Sequence, residues 1–401
     1  MTGKKVLIIN LGWEQEPLIE KLITQGHQVI GIHYDDSYNH DLDICHVEII
    51  DLRDVEKILS FAKQIQPDGV ISDQCDYSYF ATAMIAEVLS LPGANLEVAQ
   101  IATNKLIQRQ KALELGVLQP KFRCCTCLKD VQQFIADIGF PIILKPVDNR
   151  GSFGVNRVDC IENLAEAYYD ALINSHSRLI LAEQFIHGTH ITVDGYCFPI
   201  SGHRSLGLAT KGMVGGNRQV AVDIRYPGEL PEELYNYALE NNNDVVRKLG
   251  YSFGMTHAEY MLTSNGDAYL IEIANRGGGC YTSNKIVPAV SGIDITDQLI
   301  ADSLDIHLDY YQVKQIPDRH SAYLKFFVFK PGKIQKILGI NEVIQLPNIE
   351  VLRLRMKDGD EVHKTTTDAD RHGFFIAKGK TLKESIDTAE HAMSLLSVQY
   401  S

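Results

Sequence analysis

The chain has 401 residues, 45% hydrophobic and 22% charged, a globular composition that excludes wholesale disorder and fibrous repeats. At roughly 100–200 residues per domain, this length predicts two to four domains. The 38 lysines and arginines against 51 acids give a net charge of −13, which excludes the general positive field that gathers nucleic acid or anionic membrane.

An anionic ligand must therefore be met by a few local cations, backbone amides or a metal ion. No apolar run approaches the roughly 18–20 residues that cross a bilayer. The opening Met1–Asn10 lacks a longer apolar region and a small-residue cleavage site, so it reads as a first strand. The eight cysteines are scattered apart from Cys124, Cys125 and Cys127, which have no second Cys/His pair at zinc-like spacing. They read as incidental thiols of a reducing cytoplasm.

In chain order, Val6–Ile9, Val29–Ile32, Val47–Ile50 and Gly69–Ser72 are strand-like. Between them Glu16–Gln25 and Val55–Gln64 space apolar residues three and four apart, as amphipathic helices do. That alternation predicts a parallel sheet with helices on its faces. The turn Asn10–Glu14 contains no G-x-G-x-x-G, so the dinucleotide fingerprint is missing. A helix over Asn104–Leu118 stops at Pro120, and a second helix, Asp130–Gly139, precedes a short buried strand that ends at Lys145. The small-residue loop Asn149–Gly154 leads into strand Val155–Val158, then helix Asn163–Ile173, then strands Leu179–Phe185 and Ile191–Tyr196. A second glycine-rich stretch, Thr210–Gly216, precedes helix Glu232–Leu249. From about Tyr311 the chain is strand-rich and closes on helix Leu382–Leu396.

The most informative segment is His257–Arg276. Asn265-Gly266 is a strong signal for a type I′ hairpin turn. With a two-residue loop, facing positions sum to 531, so Glu259 lies directly across from Glu272. Side chains so placed have Cβ atoms about 4.5–5.5 Å apart on one face. Two carboxylates there repel unless a cation lies between them or one stays protonated. With the Asn275 amide oxygen they form a hard donor set suited to Mg²⁺ bridging nucleotide phosphates. The Arg276-Gly277-Gly278-Gly279 run beside them reads as an anion clamp with close backbone approach. Alone, each of these residues has a bland reading too: Lys145 as a strand end, Glu183 as a charged edge, Gly151 and Gly154 as a turn. His187 and His257 have no assigned role, and Trp13 reads as core packing or a pocket wall.

The motifs Asn104-Lys105, Pro141–Pro146, Gly151–Val155, Glu183–Gly188, Glu259 and Glu272–Gly279 occur in the order and spacing of one family. The chain resembles the ATP-grasp superfamily, in particular its carboxylate–amine ligases, and most of all the L-amino-acid ligases that form dipeptides. That resemblance implies an α/β ATP-grasp fold in three parts. They are an N-terminal Rossmann-like parallel-sheet domain at 1–104, an α+β nucleotide-binding domain at 105–310 with a lid near 120–190, and a strand-rich C-terminal subdomain at 311–401. It implies that Lys105 and Lys145 hold the phosphates of ATP under a flap of Gly151, Ser152, Phe153, Gly154 and Val155. Glu183 and the backbone at Phe185 would meet the adenine. His190 stands where the family has a ribose-binding glutamate. Glu259, Glu272 and Asn275 would hold Mg²⁺, or Mn²⁺ in its place, while Arg276 and Lys211 would act on the acyl phosphate and the γ-phosphate.

The implied chemistry is a two-step ligation of a carboxylate to an amine in the cytoplasm. Its partners would be ATP and small molecules, with no nucleic acid or membrane, and a homodimer is the default assembly. The loops Gly12–Glu16 and Asp73–Asp76 offer acids rather than arginines, which favours an ammonium-bearing substrate such as an amino acid. The rivals are a purine-type enzyme acting on a phosphoribosyl substrate and a non-catalytic binding protein of the same fold.

Overall fold

The computed structural model describes residues 3–38, 41–213, 220–306 and 320–401. The apolar runs of the first hundred residues pair as patterned. Strands β1 (Lys5–Ile9), β2 (Gln28–His33), β3 (His46–Ile49) and β4 (Gly69–Ile71) alternate with helices α1 (Glu16–Thr24) and α2 (Val55–Ile65). The four strands form an all-parallel sheet in the order β3-β2-β1-β4. Val6, Leu7, Ile8 and Ile9 are each 0% exposed, so both faces of β1 are covered, which is why it is continuously apolar rather than alternating.

Two helices appear that periodicity did not announce: α3 (Asp76–Leu89) and α4 (Leu96–Thr103). Helix α3 buries Ser78, Tyr79, Ala81, Ala83, Ile85 and Ala86, more than one face of a helix, so its pattern carries no clean stripe. Helix α5 (Lys105–Glu114) starts directly after Asn104, whose side-chain oxygen accepts the Leu106 and Ile107 N–H groups as an N-cap. That cap fixes where Lys105 leaves the backbone.

The next elements are β5 (Phe122–Cys125), α6 (Leu128–Ile138), β6 (Ile142–Pro146), β7 (Asn156–Val158), α7 (Leu164–Ile173) and β8 (Ile180–Gln184). They make an antiparallel sheet, β5-β8-β6-β7, over a core that includes Phe134, Leu144, Leu164 and Ala171. There follow β9 (Thr189–Phe198), β10 (Gly202–Met213), β11 (Ala221–Tyr226), α8 (Glu232–Lys248), β12 (Gly254–Leu262), β13 (Ala268–Ala274), α9 (Val287–Ser291) and α10 (Ile295–Ser303). The C-terminal part holds β14 (Ser321–Phe326), β15 (Gly332–Leu338), α11 (Ile340–Ile344), β16 (Ile349–Leu354), β17 (Glu361–Val362), β18 (Gly373–Gly379), α12 (Leu382–Leu395) and β19 (Ser397–Tyr400).

The largest sheet is eight-stranded and antiparallel, in the order β13-β12-β9-β10-β11-β14-β18-β16. The strand-rich end of the chain is thus less separate than its sequence suggests, because β14, β18 and β16 extend the central sheet. Only β17-β15-β19 form a small sheet of their own. The expected boundary at 311 and the end of the second glycine-rich stretch, Val214–Gly216, lie outside the described residues; Thr210–Met213 are the end of β10. Helix α8 covers one face of the sheet, with Ala238, Val245 and Val246 against Val193, Leu208, Ala258 and Leu270. The opposite face of β12 and β13 carries His257, Glu259 and Glu272. Among the described residues no helix is long and apolar enough to cross a membrane.

Candidate functional site

Glu259 and Glu272 oppose each other across β12 and β13, but the turn differs from the type I′ expectation. Only Gly266 takes a positive φ, +86°, and Asn265 does not. The Gly266 N–H donates to Thr263 O at 3.0 Å and the Thr263 N–H to Asp267 O at 2.9 Å, giving a three-residue loop closed by a left-handed glycine. Near the loop, facing positions therefore sum to 530, as in Leu262↔Ala268 and Tyr260↔Leu270. A β-bulge then makes Ile271 an extra residue, and the sum becomes 531 at Glu259↔Glu272. Without the bulge, Glu272 would turn toward Tyr260 and Leu270, which lie in the core.

The bulge is held by a residue that sequence reading passed over. Arg109, on α5 and 1% exposed, donates Nη2 to Ile271 O at 2.6 Å and Nη1 to Leu270 O at 3.1 Å. Its Nε meets Glu183 Oε1 at 2.7 Å, and Lys145 Nζ meets Glu183 Oε2 at 2.8 Å. Burial would raise the Glu183 carboxyl, but Arg109 and Lys145 outweigh it and hold it down at about 2. Burial, aided by Arg109 and Lys105, pulls the Lys145 ammonium below an ordinary lysine despite Glu183. Both Glu183 carboxylate oxygens are thus ion-paired within the protein. Phe185 is placed similarly: its N–H donates to Pro141 O at 3.3 Å, and its ring lies under Arg157.

The two facing carboxylates are each matched by a lysine. Lys105 Nζ lies 2.8 Å from Glu272 Oε1, and Lys211 Nζ lies 2.6 Å from Glu259 Oε1. His190, expected at a ribose, instead places Nε2 2.9 Å from Glu259 Oε2. Burial would raise the Glu259 carboxyl, but Lys211, His190 and His257 hold it well below the usual range. His257, to which the sequence assigns no role, has its Nδ1 2.8 Å from Asp194 Oδ1 and its Nε2 3.7 Å from Glu259 Oε1. Asp194, 2% exposed, also accepts from the Tyr226 hydroxyl at 2.5 Å. Burial opposes charge on His257, but Asp194 and Glu259 outweigh it and push the imidazole up to about 9. The signal was present in the sequence: His257 and Glu259 are two apart, hence on one face of a strand.

Asn275 does not join this set. Strand alternation puts it on the other side from Glu272, where its oxygen accepts from Tyr79 at 2.6 Å and its Nδ2 donates to Phe253 O and Met255 O. The hard donors that converge are the two carboxylates alone, and among the described residues no group of three or more acidic, histidine or cysteine side chains has metal-binding geometry. Two carboxylates facing one way, each matched by a lysine, still fit a divalent ion that takes its remaining ligands from phosphate oxygens and water. Arg276 forks onto Asp76 at 2.6 and 2.8 Å. Asp73 accepts the Gly277 N–H at 2.8 Å and the Ser283 hydroxyl at 2.7 Å. The acids Asp73 and Asp76 therefore brace the Arg276-Gly277 turn rather than face an ammonium. A side chain at Gly277 would sit 2.6 Å from Asp73 Oδ1, so the close approach requires glycine.

The flap bends through consecutive positive φ values at Gly151 (+60°) and Ser152 (+61°), then Gly154 (+68°). Phe153 and Val155 close its two turns through their N–H groups, to Arg150 O and Ser152 O. Just before it, Arg150 lays its guanidinium 4.2 Å above the Tyr77 ring and lines a cavity of about 840 Å³. Trp13 also lines it, packed on Tyr281 and Phe374. Arginines that the loops did not offer enter this cavity from elsewhere: Arg53, Arg150, Arg353 and Arg355.

Residues 138–284 match the ATP-grasp domain family and residues 325–401 match L-amino acid ligase C-terminal domain 2. Residues 138–284 are an ATP-grasp domain. An uncharacterized protein of Sinorhizobium fredii, y4rH, is 26% identical over 316 residues, covering 78% of this chain. The match spans 64% of that relative's own length, less than two thirds. A D-alanine–D-alanine ligase of Aromatoleum aromaticum is 28% identical, covering 54% of this chain and 71% of that protein. A formate-dependent phosphoribosylglycinamide formyltransferase of Prochlorococcus marinus is 23% identical, covering 87% of both. Among solved structures, an L-amino acid ligase from Bacillus licheniformis superposes with a TM-score of 0.85, 22% identity and full coverage of both chains. A carboxyaminoimidazole ribonucleotide synthase from Aspergillus clavatus, complexed with ATP, superposes at 0.76, 16% identity and 98% of each chain. At these identities the structures establish the shared ATP-grasp fold.

Proposed function

We propose that this ATP-grasp protein is an ATP-dependent ligase that joins a carboxylate to an amine through an acyl phosphate, with an amino acid among its substrates. The observation that carries this reading is the opposed Glu259–Glu272 pair, flanked by Lys105 and Lys211, with Arg276 two residues beyond the strand. A triphosphate landing there meets cations from three elements that the fold already holds in place. Lys105 and Lys145 would draw the phosphates in, and the Gly151–Val155 flap would cover them. Glu259 and Glu272 would hold Mg²⁺, which supplies charge neutralisation on the phosphate oxygens.

In the first step a substrate carboxylate oxygen bonds the γ-phosphorus, and the bond to the β–γ bridging oxygen breaks, releasing ADP. Lys211 and Arg276 would stabilise the charge spread over the transferring oxygens. In the second step a neutral amine attacks the acyl carbon, phosphate departs, and the amine proton passes to solvent or phosphate. A closed flap excludes water, which would otherwise hydrolyse the acyl phosphate.

A purine-type reaction on a phosphoribosyl substrate is the second reading. The arginines of the 840 Å³ cavity and the formyltransferase relative that matches 87% of the chain favour it. A purely structural role is disfavoured, because Lys105, Lys211, Glu259, Glu272 and Arg276 all stay in one charged constellation. The test is phosphate release from ATP and Mg²⁺ with pooled amino acids or with phosphoribosyl amines. Release that needs an added carboxylate–amine pair supports the ligase. Glu272→Ala should abolish it with the fold intact, and full turnover in that variant would remove the metal assignment.

A further inference from the structure

Helix α5 lies against the outer edge of β13, and the side chains it buries there are polar. Gln108 is 2% exposed and Arg109 1%, while Ile107 and Leu113 of the same helix are exposed. A buried amide is costly unless its donors and its acceptor are met. Gln108 meets them mainly on the strand. Its Oε1 accepts the Ile273 N–H at 3.0 Å, and its Nε2 donates to Ile273 O at 2.7 Å and to Ile101 O at 3.2 Å. In an antiparallel strand, alternate residues present both N–H and C=O to the same side. Among the described residues β13 ends the eight-stranded sheet, so Ile273 has no strand to pair with on its outer side. The amide of Gln108 supplies both bonds that such a strand would supply.

These bonds fall beside Glu272. The Ile273 N–H belongs to the peptide group that follows Glu272, and the Ile271 carbonyl held by Arg109 belongs to the one that precedes it. Lys105, three and four positions before Gln108 and Arg109 and so on the same helix face, meets the Glu272 carboxylate itself. One face of α5 therefore grips Glu272 at its side chain and at both flanking peptide groups. The helix is itself fixed, by the Asn104 cap, by the Lys105 N–H on Val147 O at 2.9 Å and by the Arg109–Glu183 pair. We infer that Gln108 is a positioning residue for the ligation, setting where β13 presents the Glu272 carboxylate to a divalent ion. An apolar side chain at this position would cover the edge equally well but leave both Ile273 groups unpaired in a dry contact. The bulge at Ile271 already takes one residue out of the ladder, which gives the strand a register to slip into. A slip of one residue turns Glu272 toward the core.

This inference rests on the ligase reading and its metal ion, yet its test separates the two. The probe is Mn²⁺, its binding to the full chain followed by electron paramagnetic resonance with a non-hydrolysable ATP analogue present. Gln108→Met keeps the length of the side chain and removes its bonds. It should weaken Mn²⁺ about tenfold, the low end of the roughly 10–100-fold range for residues that orient a metal ligand. Binding of the analogue with EDTA in place of metal, read by calorimetry, should not change, because Lys105 and Lys145 keep their places. A role in folding alone would lower both affinities together or neither. If Gln108→Met does not fold, Gln108→Glu, which keeps the length and an acceptor for the Ile273 N–H, should show the same metal-selective loss. Unaltered Mn²⁺ affinity, or equal loss of metal and analogue, overturns the assignment, and a wild type that binds no Mn²⁺ overturns both readings. Metal-selective loss in a protein that ligates no carboxylate–amine pair sinks the ligase reading and leaves the role of Gln108 standing. Ligation by the wild type with Mn²⁺ affinity unaltered in the variant does the reverse.

Discussion

His257 is a cation wedged between two carboxylates, and that position sets a pH dependence. Its folded value is pushed up to about 9, above the ordinary histidine value near 6.5. A group raised on folding stabilises fully below its unfolded value and loses that contribution as pH climbs through the folded one. The Asp194–His257–Glu259 contacts should thus stabilise in full below about pH 6.5 and fade between 6.5 and 9. His257→Gln should cost on the order of 2 kcal/mol at pH 6 and much less at pH 9.5. Urea unfolding of both proteins at the two pH values checks this, and a constant difference would remove the charge from His257. Its neighbours show what one residue's sequence context can reveal. Glu259 and Glu272 were found because their partners lie within one hairpin. Asp194 and Tyr226 sit 63 and 31 positions from His257, beyond any local pattern.

At the scale of the element, the Glu259–Glu272 hairpin was readable in its outcome and misread in its parts. Asn265-Gly266 marked the turn, but one extra loop residue and one extra strand residue cancel each other, so the two glutamates still oppose. A bulge is invisible to period-two counting because it breaks the period. The helix that secures it, α5, sends Arg109 into the core. Removing one member of a buried charged cluster typically costs about 3–5 kcal/mol, because the partners stay buried and unpaired. Arg109→Ala should cost that much, and it should also free the Ile271 carbonyl and loosen β13. Faster amide exchange in residues 268–274 than in the parallel sheet, read under native conditions, is the expected result. Uniform exchange with intact stability would show that the bulge stands without Arg109.

Across the whole molecule, the parallel N-terminal sheet was legible because strand–helix alternation is a local signal. The join between β11 and β14 was not, since it links strands about 100 positions apart with no shared pattern. That join brings the last fifth of the chain against the flap. Ser152 at the flap tip donates to Asp368 Oδ2 at 2.9 Å, and Asp368 Oδ1 accepts from the Ala221 N–H at 3.3 Å and is ion-paired with Arg371 Nη1 at 3.3 Å. Arg371 in turn rests 3.5 Å over the Phe326 ring of β14. Among the described residues this hydroxyl–carboxylate bond ties the flap to the loop packed on the central sheet. Its loss should cost the fold little, about 1 kcal/mol, because one partly exposed hydrogen bond is at stake. Its effect on turnover should be larger, since a flap that closes less often admits water to the acyl phosphate. Asp368→Ala should therefore raise phosphate released per amide formed by about tenfold, a loss of roughly 1.4 kcal/mol in flap closure. Ser152→Ala should do the same, and the double variant no more than either alone. Quantifying both products in one reaction decides it: an unchanged ratio in both single variants would mean that the flap closes without this anchor.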